Sequence, residues 1–131
     1  MTYFFHLRIN GVFMFELAKE DILKCGSDFQ RVYHGGHSYA NKYLVLYVLN
    51  NKCKRKIGFA AGKKLGNAVK RNRIKRLLRE VYRLNRQYLK DGYCLLLVGR
   101  KPSVGIGYET MERAFLFLSR KADILKEKVR R

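Results

Sequence analysis

Between residues 68 and 90 the apolar residues recur at helical spacing and leave the opposite side of the helix almost wholly cationic. Placed at roughly 100° per residue, Ile74, Leu77, Leu78, Val81, Leu84 and Tyr88 fall on one side. Arg71, Lys75, Arg76, Arg79, Arg83, Arg86 and Lys90 fall on the other, with Asn72 among them. Glu80 is the single acid in the segment and lies away from the middle of that face. Like charges one turn apart repel by about a few tenths of a kcal/mol each. The apolar side therefore has to be packed on another layer for the helix to persist. An ordinary solvated face would mix signs; a stripe of cations suits the phosphates of a nucleic acid.

The flanking sequence supplies that layer. Gly66 breaks the chain and Asn67 is a good N-cap for the helix. Ser27-Asp28-Phe29-Gln30 reads as a capping box, a serine cap with glutamine three residues on, and predicts a short helix ending at Gly35-Gly36. Residues 43–49, 56–61 and 93–98 read as strands. The last has no polar alternation, which predicts a central strand buried on both faces. A final helix is expected over residues 108–126, with Met111, Ala114, Phe115 and Leu118 on one face. Helix, strands, long helix, strand and helix in that order predict an α+β fold, a sandwich of helices packed on a sheet. Residues 16–131 are expected to form one domain. Residues 1–15 are expected to be an extension or a start read too far upstream, poorly ordered and dispensable before about Met14.

Charge narrows the class. Twenty-nine Lys and Arg against ten Asp and Glu give a net +19 over 131 residues. Such a charge repels itself in the folded state, and a polyanionic partner is the usual reason for it. Nucleic acid leads, and an anionic membrane surface comes second. No stretch approaches the ~20 apolar residues of a membrane span, and the first residues lack the order of an export signal. The expected address is the cytoplasm, and no membrane partner is expected. Cys25, Cys53 and Cys94 form no CxxC pair, so they read as reduced thiols, with Cys94 in the core. A protein nuclease needs clustered carboxylates for metal or a histidine pair for acid–base work. The acids are scattered, and His34 and His37 flank Gly35-Gly36 in an expected turn. No catalytic residue and no metal or cofactor site is assigned to the chain.

The run Lys63-Lys64-Leu65-Gly66-Asn67-Ala68-Val69-Lys70-Arg71-Asn72-Arg73-Ile74-Lys75-Arg76-Leu77-Leu78-Arg79-Glu80 closely resembles the signature of the bacterial ribonuclease P protein subunit, centred on Arg71-Asn72-Arg73. The likeness continues through Asp28-Phe29, Val32-Tyr33 and Gly36, through Ala40-Asn41 and Tyr47, and through Tyr93 and Arg100-Lys101-Pro102. It covers about residues 20–126. Three features depart from the family pattern: Ile22-Leu23 stands where Arg-Leu is usual, Ala60-Ala61-Gly62 stands where a larger residue is common, and residues before about Met14 have no counterpart in it.

The resemblance implies a two-layer α-β sandwich shared with some ribosomal proteins, containing a left-handed βαβ crossover that breaks the usual rule. It implies an accessory protein: a catalytic RNA cleaves the 5′ leader from precursor tRNA with magnesium, and the protein holds both RNAs. Carried over, Lys63, Lys64, Asn67, Arg71, Asn72, Arg73, Lys75 and Arg76 contact the RNA subunit, and Arg79 extends that face. Phe29, Tyr33 and Tyr47 line a cleft for the single-stranded leader. Unpaired nucleotides stack on aromatic faces in a positive groove and tolerate any base. Phe29 and Tyr33 are four apart on the expected helix and share a face; a core position is the competing reading for Phe29. Arg73 falls at the edge of the apolar side, where a bond within the protein is the alternative. The rivals on charge alone are a structural RNA-binding protein of the same fold, a DNA-binding regulator and an autonomous nuclease.

Overall fold

The computed structural model describes residues 22–23, 26–50 and 56–126, with side chains from Phe29 onward in its first helix. The expected N-terminal extension, Cys25 and Cys53 lie outside the described residues.

Helix α1 (Gly26–Gly35) leads into strand β1 (His37–Ala40), then β2 (Leu44–Asn50) and β3 (Lys56–Ala61). Helix α2 (Ala68–Asn85) follows, then β4 (Tyr93–Gly99) and helix α3 (Tyr108–Lys121). The strands form one four-stranded sheet in the order β1-β2-β4-β3. β4 pairs antiparallel with β2 and parallel with β3, so the expected central strand is central. The β3–α2–β4 segment is a βαβ unit between adjacent parallel strands.

Alternation along the strands gives the sheet two faces. Leu44, Leu46, Val48, Ile57, Leu95 and Leu97 join Ile74, Leu78 and Val81 of α2 and Met111, Phe115 and Leu118 of α3 in the main core. Each such side chain taken fully out of water contributes about 1.5–3 kcal/mol. The opposite face is covered only in part, by α1: Val32 packs with Leu23, Cys94 and Leu96 in a smaller cluster, with Phe29, Tyr47, Leu49, Ala60 and Val98 half-buried around it. The expected α+β sandwich is thus present, with α2 and α3 in one layer and, among the described residues, α1 as the one helix across the sheet. Ile22-Leu23 extends β3's edge: Leu23 N–H donates to the Ile57 carbonyl at 2.9 Å.

Four local expectations are corrected. Helix α1 begins at Gly26, so Ser27 lies inside it rather than ahead of it as a cap. α1 ends at Gly35 as expected, but His34 lies in its last turn and His37 opens β1, where both were expected in a turn; β1 is a short edge strand with little apolar pattern, defined by its pairing to β2. The long helix gives way to a 3-10 turn over Arg86–Tyr88, and α3 stops at Lys121. Asp123 there takes φ 59°, a left-handed conformation that aspartate tolerates. The chain then turns back so that Lys126 N–H donates to the Tyr88 carbonyl at 2.8 Å.

The cationic face of α2 is also narrower than its wheel predicts. Arg83 is buried and pairs with Glu80 through two hydrogen bonds. Tyr82 and Asn85 are buried as well. α2 touches the sheet on one side and α3 on another, so a second stripe of it is covered. Asn85 Nδ2 donates to Glu112 Oε2 at 2.9 Å, and the Tyr108 hydroxyl donates to the same oxygen at 2.8 Å.

Candidate nucleic-acid interface

The first surface is the approach to α2 and its outer face. Asn67 sits at the helix start in extended conformation, and its Oδ1 accepts the Lys70 N–H at 3.0 Å. That bond fills one of the helix's orphan donors and commits the Asn67 oxygen to the protein, leaving its amide group outward. Lys63 and Lys64 are exposed on a 3-10 turn over Lys63–Leu65, anchored by buried Leu65. Gly66 closes this turn at φ 133°, and a Cβ there would lie 2.8 Å from the Lys70 side chain. Only glycine accommodates both conditions, which is why the lysine pair and the helix meet at this residue.

Along α2, Asn72, Arg73 and Arg76 are exposed, and Arg71, Lys75 and Arg79 are half-covered. The nine residues expected to contact RNA, from Lys63 to Arg79, thus all lie on the approach turn or along α2, and none of them is buried. They differ in freedom. Arg73 Nη2 donates to the Ile106 carbonyl at 3.4 Å, the internal bond that its wheel position allowed. The Arg79 guanidinium lies 5.7 Å from the centre of the Phe59 ring, within the range of a cation–π contact. The Nε of Arg71 is buried without a hydrogen-bond partner among the described residues.

The second surface lies across the sheet, between α1 and the open part of β2. Tyr33 of α1 is 49% exposed, and its ring centre stands 5.0 Å from that of Tyr47 at an interplanar angle of 45°. Phe29, one turn earlier, is half-buried. It rests on Gly58 of β3, where a Cβ would come within 3.0 Å of the Phe29 ring. Glycine in this strand, a weakness by propensity alone, is what lets an aromatic lie flat on the sheet. The three expected cleft residues are thus brought together, with Phe29 serving as both wall and packing. Tyr47 has its phenol pKa raised above the ordinary value by burial first, then by the charge and hydrogen bond of Tyr33. It stays neutral near pH 7 and offers a hydroxyl and a π face.

Sequence reasoning missed the remaining lining. Leu49, Ala60 and Val98 form a half-buried apolar floor, and Arg31 reaches across it to within 4.0 Å of the Cys94 sulfur. The signal was available in β2, whose Val45, Tyr47 and Leu49 are half-exposed at every second residue between buried neighbours. Cys94 is a buried thiol outside any disulfide. Among the described residues, no three His, Cys, Asp or Glu side chains are placed to share a metal ion, and no helix is long and apolar enough to cross a membrane.

Known proteins match this chain in sequence and in fold. Residues 17–123 match the family described as Ribonuclease P. The chain is similar to the ribonuclease P protein component of Natranaerobius thermophilus, at 46% identity over 108 residues, covering 82% of this chain and 94% of that protein. Among solved structures it is similar to the ribonuclease P protein of Staphylococcus aureus, with a TM-score of 0.73 at 31% identity, covering 81% of this chain and 98% of that one. The ribonuclease P protein of Thermotoga maritima superposes with a TM-score of 0.68 at 27% identity, covering 75% of this chain and 94% of the other.

Proposed function

This chain belongs to the ribonuclease P protein family, and from that premise we propose that it holds two RNAs at once, one on each side of its sheet. Membership makes it a protein component of ribonuclease P, an endoribonuclease assembly that processes the 5′ ends of tRNA and contains an RNA partner. The outer face of α2, with Lys63 and Lys64, takes the catalytic RNA subunit. The cleft of Phe29, Tyr33 and Tyr47 takes the single-stranded 5′ leader of precursor tRNA.

Each surface suits its occupant physically. Phosphates spaced along a folded RNA match a strip of arginines and lysines, and each contact releases counterions. The half-exposed guanidinium of Arg71 offers donors that a phosphate oxygen can accept from. A leader has no fixed sequence, so its binding must rest on stacking rather than on base-edge hydrogen bonds. The observation that carries the reading is the Tyr33–Tyr47 ring pair standing open over an apolar floor, on the sheet face opposite the cationic helix.

The protein's part is positioning. It supplies no acid, base or nucleophile; cleavage and the magnesium ions it needs belong to the RNA subunit, and the protein strengthens substrate binding by fixing the leader beside it. The test is reconstitution: purified protein, a bacterial ribonuclease P RNA and precursor tRNA at low magnesium, with 5′ leader release as the read-out. Strong cleavage only in the mixture is expected. Cleavage by the protein alone, or no stimulation of the RNA, would refute the proposal.

A further inference from the structure

A groove of about 600 Å³ opens between α3 and the turn that joins β1 to β2. It belongs to neither surface described above. Its walls carry Lys42 and Tyr43 on the turn, and Thr110, Arg113, Phe117 and Arg120 on α3. The last four recur at helical spacing and form one stripe. Phe117 is 49% exposed, unusual for a phenylalanine beside a filled core. No carboxylate lines the groove among the described residues. Lys42 Nζ lies 5.6 Å from the centre of the Tyr43 ring, and Lys121 Nζ lies 5.5 Å from that of Phe117.

The groove is held in shape. Asn41 Oδ1 accepts the N–H groups of Tyr43 and Leu44 at 3.0 and 3.1 Å, and its Nδ2 donates to the Ala114 carbonyl of α3 at 3.1 Å. Arg100 Nη1 donates to the Asn41 carbonyl at 2.7 Å. The turn is therefore tied both to α3 and to the end of β4, and little ordering remains to be done on binding.

We propose that this groove is a further RNA-binding site, which takes an unpaired segment of the RNA subunit. An exposed ring, Phe117, and a half-buried one, Tyr43, set among cations with no acid between them, are the chemistry of single-strand recognition: bases stack and phosphates pair. A protein segment could use the rings but would leave Lys42 and Arg113 opposed to nothing unless it were acidic. The position selects the source of the RNA. α2 and α3 lie in one layer on one face of the sheet, so an RNA body resting on α2 extends over α3 as well. The leader cleft faces the other way, and a strand leaving it would have to wrap around the edge strand β1. The assignment rests on the reading of α2 as the RNA-subunit face, and its test separates the two.

The decisive experiment titrates the protein with ribonuclease P RNA, without substrate, across a salt series. The Lys42→Ala/Arg113→Ala/Phe117→Ala variant changes only side chains at least partly exposed. It is expected to bind about tenfold more weakly, with a salt slope shallower by roughly 1.5, as for two lost phosphate contacts. Leader affinity, compared between precursor tRNAs with and without the leader, stays unchanged. A parallel Lys64→Ala/Arg76→Ala variant reports on α2; if it alone keeps full affinity, the α2 reading fails while the groove stands. Ultraviolet cross-linking of the unaltered protein to the RNA subunit is expected to mark Tyr43 or Phe117, and this read-out decides the matter if the triple variant misfolds. Wild-type affinity and slope in a folded triple variant overturn the proposal and leave the groove to an acidic protein segment. A loss confined to leader-bearing substrate overturns it in favour of the precursor strand.

Discussion

The ring of Tyr33, on a helix, and the ring of Tyr47, on the second strand of the sheet, stand 5.0 Å apart and tilted by 45°. Fourteen positions separate them in the sequence, and nothing between is needed for them to meet except that α1 crosses the sheet at this point. The pair is neither stacked flat nor buried, so a planar base can lie against Tyr33 without first breaking the contact. Its geometry gives the proposed leader cleft its most direct test.

Replacing Tyr33 with alanine removes a stacking surface without touching the core. A base–aromatic stack contributes about 1–3 kcal/mol, so leader affinity is expected to fall roughly 5- to 150-fold. Binding to the RNA subunit alone is expected to be unchanged. Fluorescence anisotropy with precursor tRNA and mature tRNA checks the first statement, since only the precursor carries the leader, and titration with the RNA subunit checks the second.

The cations of α2 are expected to divide by their internal bonds. Arg76→Ala and Lys64→Ala remove exposed charges and should each lower the salt slope of RNA-subunit binding by about 0.7–0.9. Arg73→Ala also loses the bond to the Ile106 carbonyl, so it should lower the urea midpoint slightly where the other two leave it unchanged. Salt-dependent titration and urea unfolding of the three variants give the comparison.

Gly58 is expected to tolerate no side chain. A Cβ there would meet Leu23 at 2.9 Å and the Phe29 ring at 3.0 Å. Forcing such a group into a packed cluster destabilises by about 1–3 kcal/mol. Gly58→Val should lower the unfolding midpoint and, by lifting Phe29, weaken leader binding more than RNA-subunit binding. Equal weakening of both would show that Phe29 has no place in the cleft.

Tyr108 is expected to make stability fall in alkali. Burial, then its bond to the Glu112 carboxylate, raises its pKa well above the ordinary 10.0. Below about pH 10 both folded and unfolded chains keep the proton, and the contribution is intact. Above it, the unfolded chain releases the proton while the folded chain holds it, so stability declines with rising pH. Tyr108→Phe should flatten that part of the decline, and at neutral pH it should cost about 1–1.5 kcal/mol for the lost hydrogen bond. Urea unfolding of both proteins from pH 7 to 11 measures the two effects.

Much of this molecule is legible from local pattern. The 3.6-residue period placed Ile74, Leu78 and Val81 in the core, and the unbroken apolar run placed β4 at the centre of the sheet. Asn67 announced its cap, and the signature from Lys63 to Glu80 marked the cationic strip. Each of these is a property of consecutive residues: helical and strand periods, a cap's short reach, and charge summed along one face. They hold whatever the segment packs against.

What escaped the sequence depends on neighbours distant along the chain. Arg83 looked like its exposed fellows, yet it is buried, as are Tyr82, whose ring centre lies 6.1 Å from that of Phe59 on β3, and Asn85, which bonds Glu112 of α3. β1 has too little apolar pattern to announce itself and exists because β2 offers it an edge to pair with. The sequence by itself determined that a basic helix must pack its apolar side on a sheet. Only the tertiary structure decided that α1 crosses the opposite face, bringing Phe29 over Gly58 and Tyr33 beside Tyr47, because that juxtaposition arises from the packing of elements and not from the spacing of residues.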